Sequence, residues 1–182
     1  MDKPEDVMFS PAVKAEQARL GSRATFEDRD WQTEITDDLR QFLAAIDTFF
    51  FATASADGRP YIQHRGGPAG FLKPIGTHML AFADFAGNRQ YITLGHLKEN
   101  DRAHIFILHF ATQQRLKLWG RARVVEDDAE LMERLVDSAY RAKPQRAIVF
   151  TIEAWDINCR QHIVARYSEA EIAPAVNQLT QR

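Results

Sequence analysis

Residues 49–71 read FFFATASADGRPYIQHRGGPAGF. An aromatic and β-branched run from Phe49 to Thr53 meets Asp57-Gly58, and a second extended segment ending at Arg65 follows. Asp-Gly between two such runs is the signature of a β-hairpin, because both turn positions accept the left-handed backbone that matches strand twist. Beyond the second strand, Gln63, His64, Arg65, Gly66 and Gly67 set a cation beside paired glycines, where backbone approaches a ligand closely. A phosphate suits such a place. The dinucleotide fingerprint is excluded, because Pro68 stands where its second glycine belongs and no helix follows. A glycine-rich turn that merely reverses the chain remains the alternative reading.

Working outward, Thr36 caps a helix that carries Asp37 and Asp38 in its first turn and Leu39, Phe42, Leu43 and Ile46 on one side. Residues 1–35, with Pro4, Pro11 and Gly21 among many charges, read as an N-terminal arm with a short helix near Val13–Leu20. Downstream, Met79–Phe85 and Ala103–Phe110 are too short for buried helices and rich in strand formers. Between them Asn88–Glu99 reads as a helix weakened by Gly95. Gln114–Val125 alternates cleanly, with Leu116, Leu118, Gly120, Ala122 and Val124 on one face and Arg115, Lys117, Trp119, Arg121 and Arg123 on the other. Asp127 with Glu130 predicts a capped helix bearing Leu131, Met132, Leu135, Val136 and Ala139. Ala147–Trp155 is a further strand, and Ser168 with Glu171 caps a last helix striped by Ile172, Val176 and Leu179. This order predicts an α+β fold of about six antiparallel strands with flanking helices, in one domain spanning 36–182.

Composition narrows the function. With 45% hydrophobic and 26% charged residues the chain reads as a packed globule, and its net charge of −2 lacks the positive field that nucleic-acid backbones require. No apolar run approaches the roughly 18 residues of a membrane helix, so no membrane role is expected. The single cysteine, Cys159, and the absence of a basic, then apolar, leader at the start point to a reducing cytoplasm.

Further constellations bear on a ligand. Gly87-Asn88-Arg89 opens the expected middle helix, whose free amides and partial positive charge attract anions; an Asn cap with a solvated Arg is the plain alternative. Arg115 and Lys117 share a strand face and can meet one anion, or form ordinary surface. Trp119 on that face suits an interface. His104 and His109 lie five apart, on opposite strand faces, so no metal site is expected. Cys159 reads as a small buried apolar group, and Gln161-His162 as a candidate pocket lining.

Taken in order, the hairpin, FADFAGNRQY, QRLKLWGRARVV and WDINCRQHIVAR resemble the pyridoxamine 5'-phosphate oxidase-like, FMN-binding split-barrel family from about Leu39 to Arg166. The resemblance implies a six-stranded antiparallel Greek-key split barrel whose homodimer builds two FMN sites at the subunit interface. It implies that Gln63, His64, Arg65, Gly66 and Gly67 line the phosphate and ring edge, with Phe82 and Asp84 from the following strand. It assigns Asn88 and Arg89 to the phosphate, Arg115 and Lys117 to the next strand's contribution, and Gln161 and His162 to the flavin from either subunit. QHRGGPAGF and Gly87-Asn88-Arg89 depart from the true oxidase pattern, so the chain resembles instead the branch with RGGPxGF and NCxQHI. The implied function is an FMN-dependent oxidoreductase acting on a small molecule, in which the flavin carries the electrons and no side chain is an obligate acid or base. The alternative is a flavin- or haem-binding module of the same fold without turnover.

Overall fold

In the computed structural model, residues 3–158, 161–169 and 171–173 are described. The arm forms three short helices, α1 (Pro4–Met8), α2 (Pro11–Arg19) and α3 (Arg23–Phe26), where the sequence predicts one. Ser10 Oγ accepts the Val13 amide to start α2. Phe9, Phe26 and Trp31 hold the arm's turns together with ring centroids 5.6–6.3 Å apart.

Helix α4 (Asp37–Ala44) starts as expected, with Thr36 Oγ1 accepting the Leu39 amide at 3.2 Å, and buries Leu39 and Leu43 completely. Strands β1 (Thr48–Ala54) and β2 (Pro60–Gly66) make the hairpin around Gly58, whose φ of 84° needs no Cβ. A two-residue strand, β3 (Lys73–Pro74), pairs only with β4 (Met79–Phe85). Then follow α5 (Ile92–Glu99), β5 (Arg102–His109), β6 (Gln114–Val125), α6 (Ala129–Leu135) and β7 (Pro144–Asn158). The α6 cap is Asp128, whose carboxylate accepts the Leu131 amide at 2.9 Å, one residue later than the expected Asp127. Helix α6 ends at Leu135, leaving Val136 and Ala139 beyond it. Of the last expected helix, Ser168 and Glu171 exchange the cap hydrogen bonds, while Val176 and Leu179 lie outside the described residues, as does Cys159.

Every strand pair is antiparallel, in the order β2-β1-β5-β6-β7-β4-β3. The expectation of six strands is therefore corrected to seven, in a sheet whose two ends, β2 and β3, are not hydrogen-bonded to each other. The extra strand escaped notice because two residues give no alternation, and Pro74 is tolerated there because β3 is an edge.

The sheet nevertheless curls until its two halves touch. Phe49 and Phe51 of β1 pack edge-on against Phe82 of β4 at 5.1 and 5.7 Å, and Phe51 meets Phe150 of β7 at 6.4 Å. Each such aromatic pair adds about 0.5–1.5 kcal/mol beyond its buried area. With Ile105, Ile107, Leu116 and Leu118 they fill the main core, capped by α4, while Ala81, Ala83, Ala147 and Val149 pack with Leu131 and Leu135 of α6 in a second cluster. The arm lies outside, on β7: Trp155 Nε1 donates to the Glu34 carbonyl at 2.8 Å, and Arg29 pairs with Asp156 at 2.7 Å. Among the described residues no helix is long and apolar enough to cross a membrane.

Candidate functional site

The hairpin register decides which side chains of β2 face the interior. Phe49, Phe51 and Thr53 point into the core, and their cross-strand partners are Arg65, Gln63 and Tyr61. Directly opposed residues share a face. Tyr61, Gln63 and Arg65 thus line the inner side of the open sheet end, while Ile62 and His64 face out.

Arg65 spans the opening. Its Nη1 lies 2.5 Å from Asp84 Oδ1 of β4, and its Nη2 donates to Thr93 Oγ1 of α5 at 3.3 Å. Thr93 Oγ1 in turn donates to Gln63 Oε1 at 3.2 Å. Asp84 sits directly across from Arg146 in the β4–β7 register, and its other oxygen accepts from Arg146 Nη1 at 3.4 Å. Asp84 and Thr93 are buried, and the Arg65 guanidinium lies 5.7 Å from the centroid of Phe82, which serves as its platform. Buried charges must be paired or pay heavily for lost hydration, so one carboxylate shared by two guanidinium groups leaves a surplus of positive charge. Buried Nε atoms of both Arg65 and Arg146 lack hydrogen-bond partners among the described residues, although Glu126 Oε1 stands 3.5 Å from the latter.

These groups open on a small cavity whose other wall is the loop 87–91 and the first turn of α5. The predicted helix start at Asn88 is corrected here: the helix begins at Ile92. Asn88 Oδ1 accepts the Gln90 amide at 3.1 Å, an Asx-type turn that competes with helix, and Arg89 and Tyr91 both take left-handed backbone (φ 61° and 55°). Left-handed geometry at a residue with a Cβ costs about 1–2 kcal/mol. That strain is spent in holding Arg89 and the uncapped first turn of α5 on the cavity wall. Arg65, Arg89 and Arg146 outnumber the carboxylates of Asp84 and of Glu126 at the rim, so the cavity is net positive and favours an anion such as a phosphate.

A family model for pyridoxamine 5'-phosphate oxidase matches residues 35–159, more than half of the chain. The chain belongs to this family. Among solved structures, HupZ of Group A Streptococcus is similar at 15% identity over 73% of this chain and 99% of that one, with a TM-score of 0.53. An FMN-binding protein from Syntrophomonas wolfei subsp. wolfei is 14% identical over 81% of this chain and 95% of its own (TM-score 0.51). A protein related to general stress protein 26, of the pyridoxinephosphate oxidase family, from Clostridium acetobutylicum is 16% identical over 66% and 85% (TM-score 0.51). At these identities the likeness is one of fold. No curated protein matches the chain.

Within this pyridoxamine 5'-phosphate oxidase family member, the residues singled out from the sequence divide between two faces. Gln63, Arg65, Asp84, Asn88 and Arg89 share the cavity. Phe82 is 1% exposed and sits beneath Arg65, out of reach of a ligand. The glycine pair serves packing: a Cβ on Gly67 would come within 2.7 Å of the Phe71 ring, and one on Gly66 within 3.0 Å of His64. His64 turns to the outer face, where its Nε2 meets Thr48 Oγ1 at 2.6 Å. Arg115 and Lys117 lie on the same outer face, in register with Leu108 and Phe106 of β5. Gln161 and His162 are exposed and do not line the cavity.

The outer face has its own electrostatics. His104, paired with Trp119 across β5 and β6 at 4.9 Å between rings, is pushed down to about 4 by burial and by the Lys117 charge. Lys117 is itself lowered, first by burial and then by Arg115 and Arg29, against the opposing pull of Asp156 at 3.9 Å. Arg146, Tyr61, Tyr91 and Thr93 are among the cavity residues that the sequence alone did not single out. Period two in β2 places Tyr61 beside Gln63 and Arg65, and separates His64 from them. Nothing local marks Arg146, which reaches the site only through its register with Asp84.

Proposed function

We propose that this chain binds a flavin by the phosphate of its FMN unit and acts, as a homodimer, as a flavin-dependent oxidoreductase on a small molecule. The observation that carries the reading is the convergence of Arg65, Arg89 and Arg146 on one cavity with Asp84 as their only carboxylate among its lining residues. Buried guanidinium nitrogens without partners fit a phosphate, whose oxygens accept charge-assisted hydrogen bonds. Gln63 and Thr93 add neutral polar groups beside them, and the left-handed loop keeps the wall preformed.

The bound flavin supplies the electron chemistry. The chain's own part is to fix the phosphate end through Arg65 and Arg146, whose positions Asp84 sets, and through Arg89. The outer sheet face carries exposed Ile62 beside Ala52, and Phe50 packed 6.5 Å from Phe106. A second copy seated there would cover this apolar row and bring its own His64, Arg115 and Lys117 to the interface.

Titration of the purified protein with FMN, followed by flavin fluorescence and thermal unfolding, tests the reading. FMN at about 100 times its dissociation constant stabilises by about 2.7 kcal/mol. Bleaching of bound flavin by a nicotinamide donor supports the redox role; no binding and no thermal shift refute the site.

A further inference from the structure

The outer face of the sheet gathers cations that the cavity does not use. Lys117 of β6 stands directly across from Asp156 of β7, and its Nζ lies 3.9 Å from Asp156 Oδ2. The arm brings Arg29 to the other oxygen, at 2.7 Å, and the chain just beyond is tied down where the Trp155 amide donates to the Gln32 carbonyl at 2.9 Å. Arg115 stands two residues before Lys117 on the same strand face, and its buried Nε has no hydrogen-bond partner among the described residues. Asp156 does not neutralise this cluster: burial, and then Arg115 and Arg29, hold Lys117 below the ordinary lysine value against the carboxylate's pull. Asp28 and Asp30, on either side of Arg29 in the chain, are exposed and stand beyond ion-pair distance of all three cations. Two indoles flank the cluster, Trp31 at 4.3 Å from the Arg29 guanidinium and Trp119 at 5.4 Å from the Lys117 ammonium.

An orphaned donor and two planar forks call for an acceptor with several lone pairs. A guanidinium meets a carboxylate or a phosphate through two parallel hydrogen bonds, and an ammonium beside it adds a point charge. We propose that Arg29, Arg115 and Lys117 form a second anion site, on the face of the sheet opposite the cavity, which takes the carboxylate or phosphate group of a small molecule. Because Arg29 belongs to the arm and the other two to β6, the bound anion also fastens the arm to the sheet. Lys117 is in register with Phe106, so the anion stands beside the apolar row that a second copy would cover. The site is independent of the flavin reading of the cavity.

Tryptophan fluorescence reads this site, since Trp31 and Trp119 flank it and no tryptophan lines the cavity. The full chain is titrated with inorganic phosphate and, separately, with malonate, each against potassium chloride at matched ionic strength to remove plain screening. A saturable change that chloride does not produce is expected, and the anion bound more tightly identifies the group. Arg29→Gln and Lys117→Met each weaken it about tenfold or more, the loss of one charge-assisted hydrogen bond. Arg29→Lys, which keeps the charge and loses the fork, falls between Arg29→Gln and the parent chain. Arg89→Ala, in the cavity, leaves the change unmoved. Unaltered circular dichroism shows that each variant folds, and exposed Arg29 carries the test by itself if Lys117→Met does not. A response no greater than that of chloride, or one that survives the loss of Arg29, overturns the site. FMN binding is followed separately by flavin fluorescence, so either site can fail while the other stands.

Discussion

The guanidinium of Arg65 lies 2.5 Å from the carboxylate of Asp84, and this contact joins β2 to β4, strands between which the sheet order interposes four others. The backbone leaves the sheet open at that seam, and side-chain charge closes it. The same contact orients Arg65 toward the cavity, so seam and candidate site are one structure.

Asp84→Asn tests that coupling. It leaves two partly buried guanidinium groups without their shared anion, and removal of one partner of a buried charge cluster costs about 3–5 kcal/mol. The urea midpoint falls accordingly in chloride buffer and recovers partly on adding inorganic phosphate, which takes the carboxylate's place. A midpoint unchanged from the parent chain contradicts the coupling.

Arg89→Ala separates binding from folding. The side chain is exposed and makes no ion pair among the described residues, so thermal stability without ligand stays as it was. Affinity for FMN drops about tenfold or more, the loss of one charge-assisted hydrogen bond. Titration calorimetry with FMN showing equal affinity removes Arg89 from the site.

His104 makes stability depend on pH. Its folded value is depressed to about 4, from an ordinary 6.5, so the unfolded chain binds the extra proton between those values. The stabilising contribution is complete above pH 6.5 and is lost as pH falls toward 4. At pH 5 the loss is about 2 kcal/mol relative to pH 7.5. His104→Phe flattens that part of the profile measured by urea unfolding; an identical profile in the variant assigns the pH dependence elsewhere.

Gly120→Ala is expected to be among the more damaging small substitutions. The strand register slips between Trp119 and Gly120, and a Cβ at 120 would come within 2.0 Å of the Thr151 carbonyl oxygen. Backbone must move, at a cost of about 1–3 kcal/mol. A domain of this size loses about 2–4 °C of Tm per kcal/mol, so calorimetry resolves it. A Tm within error of the parent shows that the bulge yields freely.

Ile62→Lys addresses association. Ile62 is 60% exposed on the outer face, in line with Ala52 and His104. If the proposed homodimer uses this face, a lysine there shifts sedimentation from dimer to monomer and weakens the proposed FMN binding together with it. A dimer that tolerates the lysine places the interface on another face.

Much of the architecture was legible in residue order, because short-range physics produced it. The Asp57-Gly58 turn, the Thr36 cap and the strict alternation of Gln114–Val125 each specify a local conformation, and each stands where expected. The boundaries of Met79–Phe85 and Gln114–Val125 were readable to the residue. The helix start at Ile92 was not, since Asn88 closes a turn on Gln90 that competes with capping.

Alternation and capping belong to neighbours along the chain, and they set the hairpin, the strands and the pairing of Gln63 with Arg65 on one side and His64 on the other. Which distant strands meet is a matter of curvature and of how the phenylalanine core packs. Those collective effects put Arg146 opposite Asp84, brought Arg65 across the seam to the same carboxylate, and sent Arg115 and Lys117 to the far face. A charge's partner is chosen by proximity in space, which no spacing along the chain encodes.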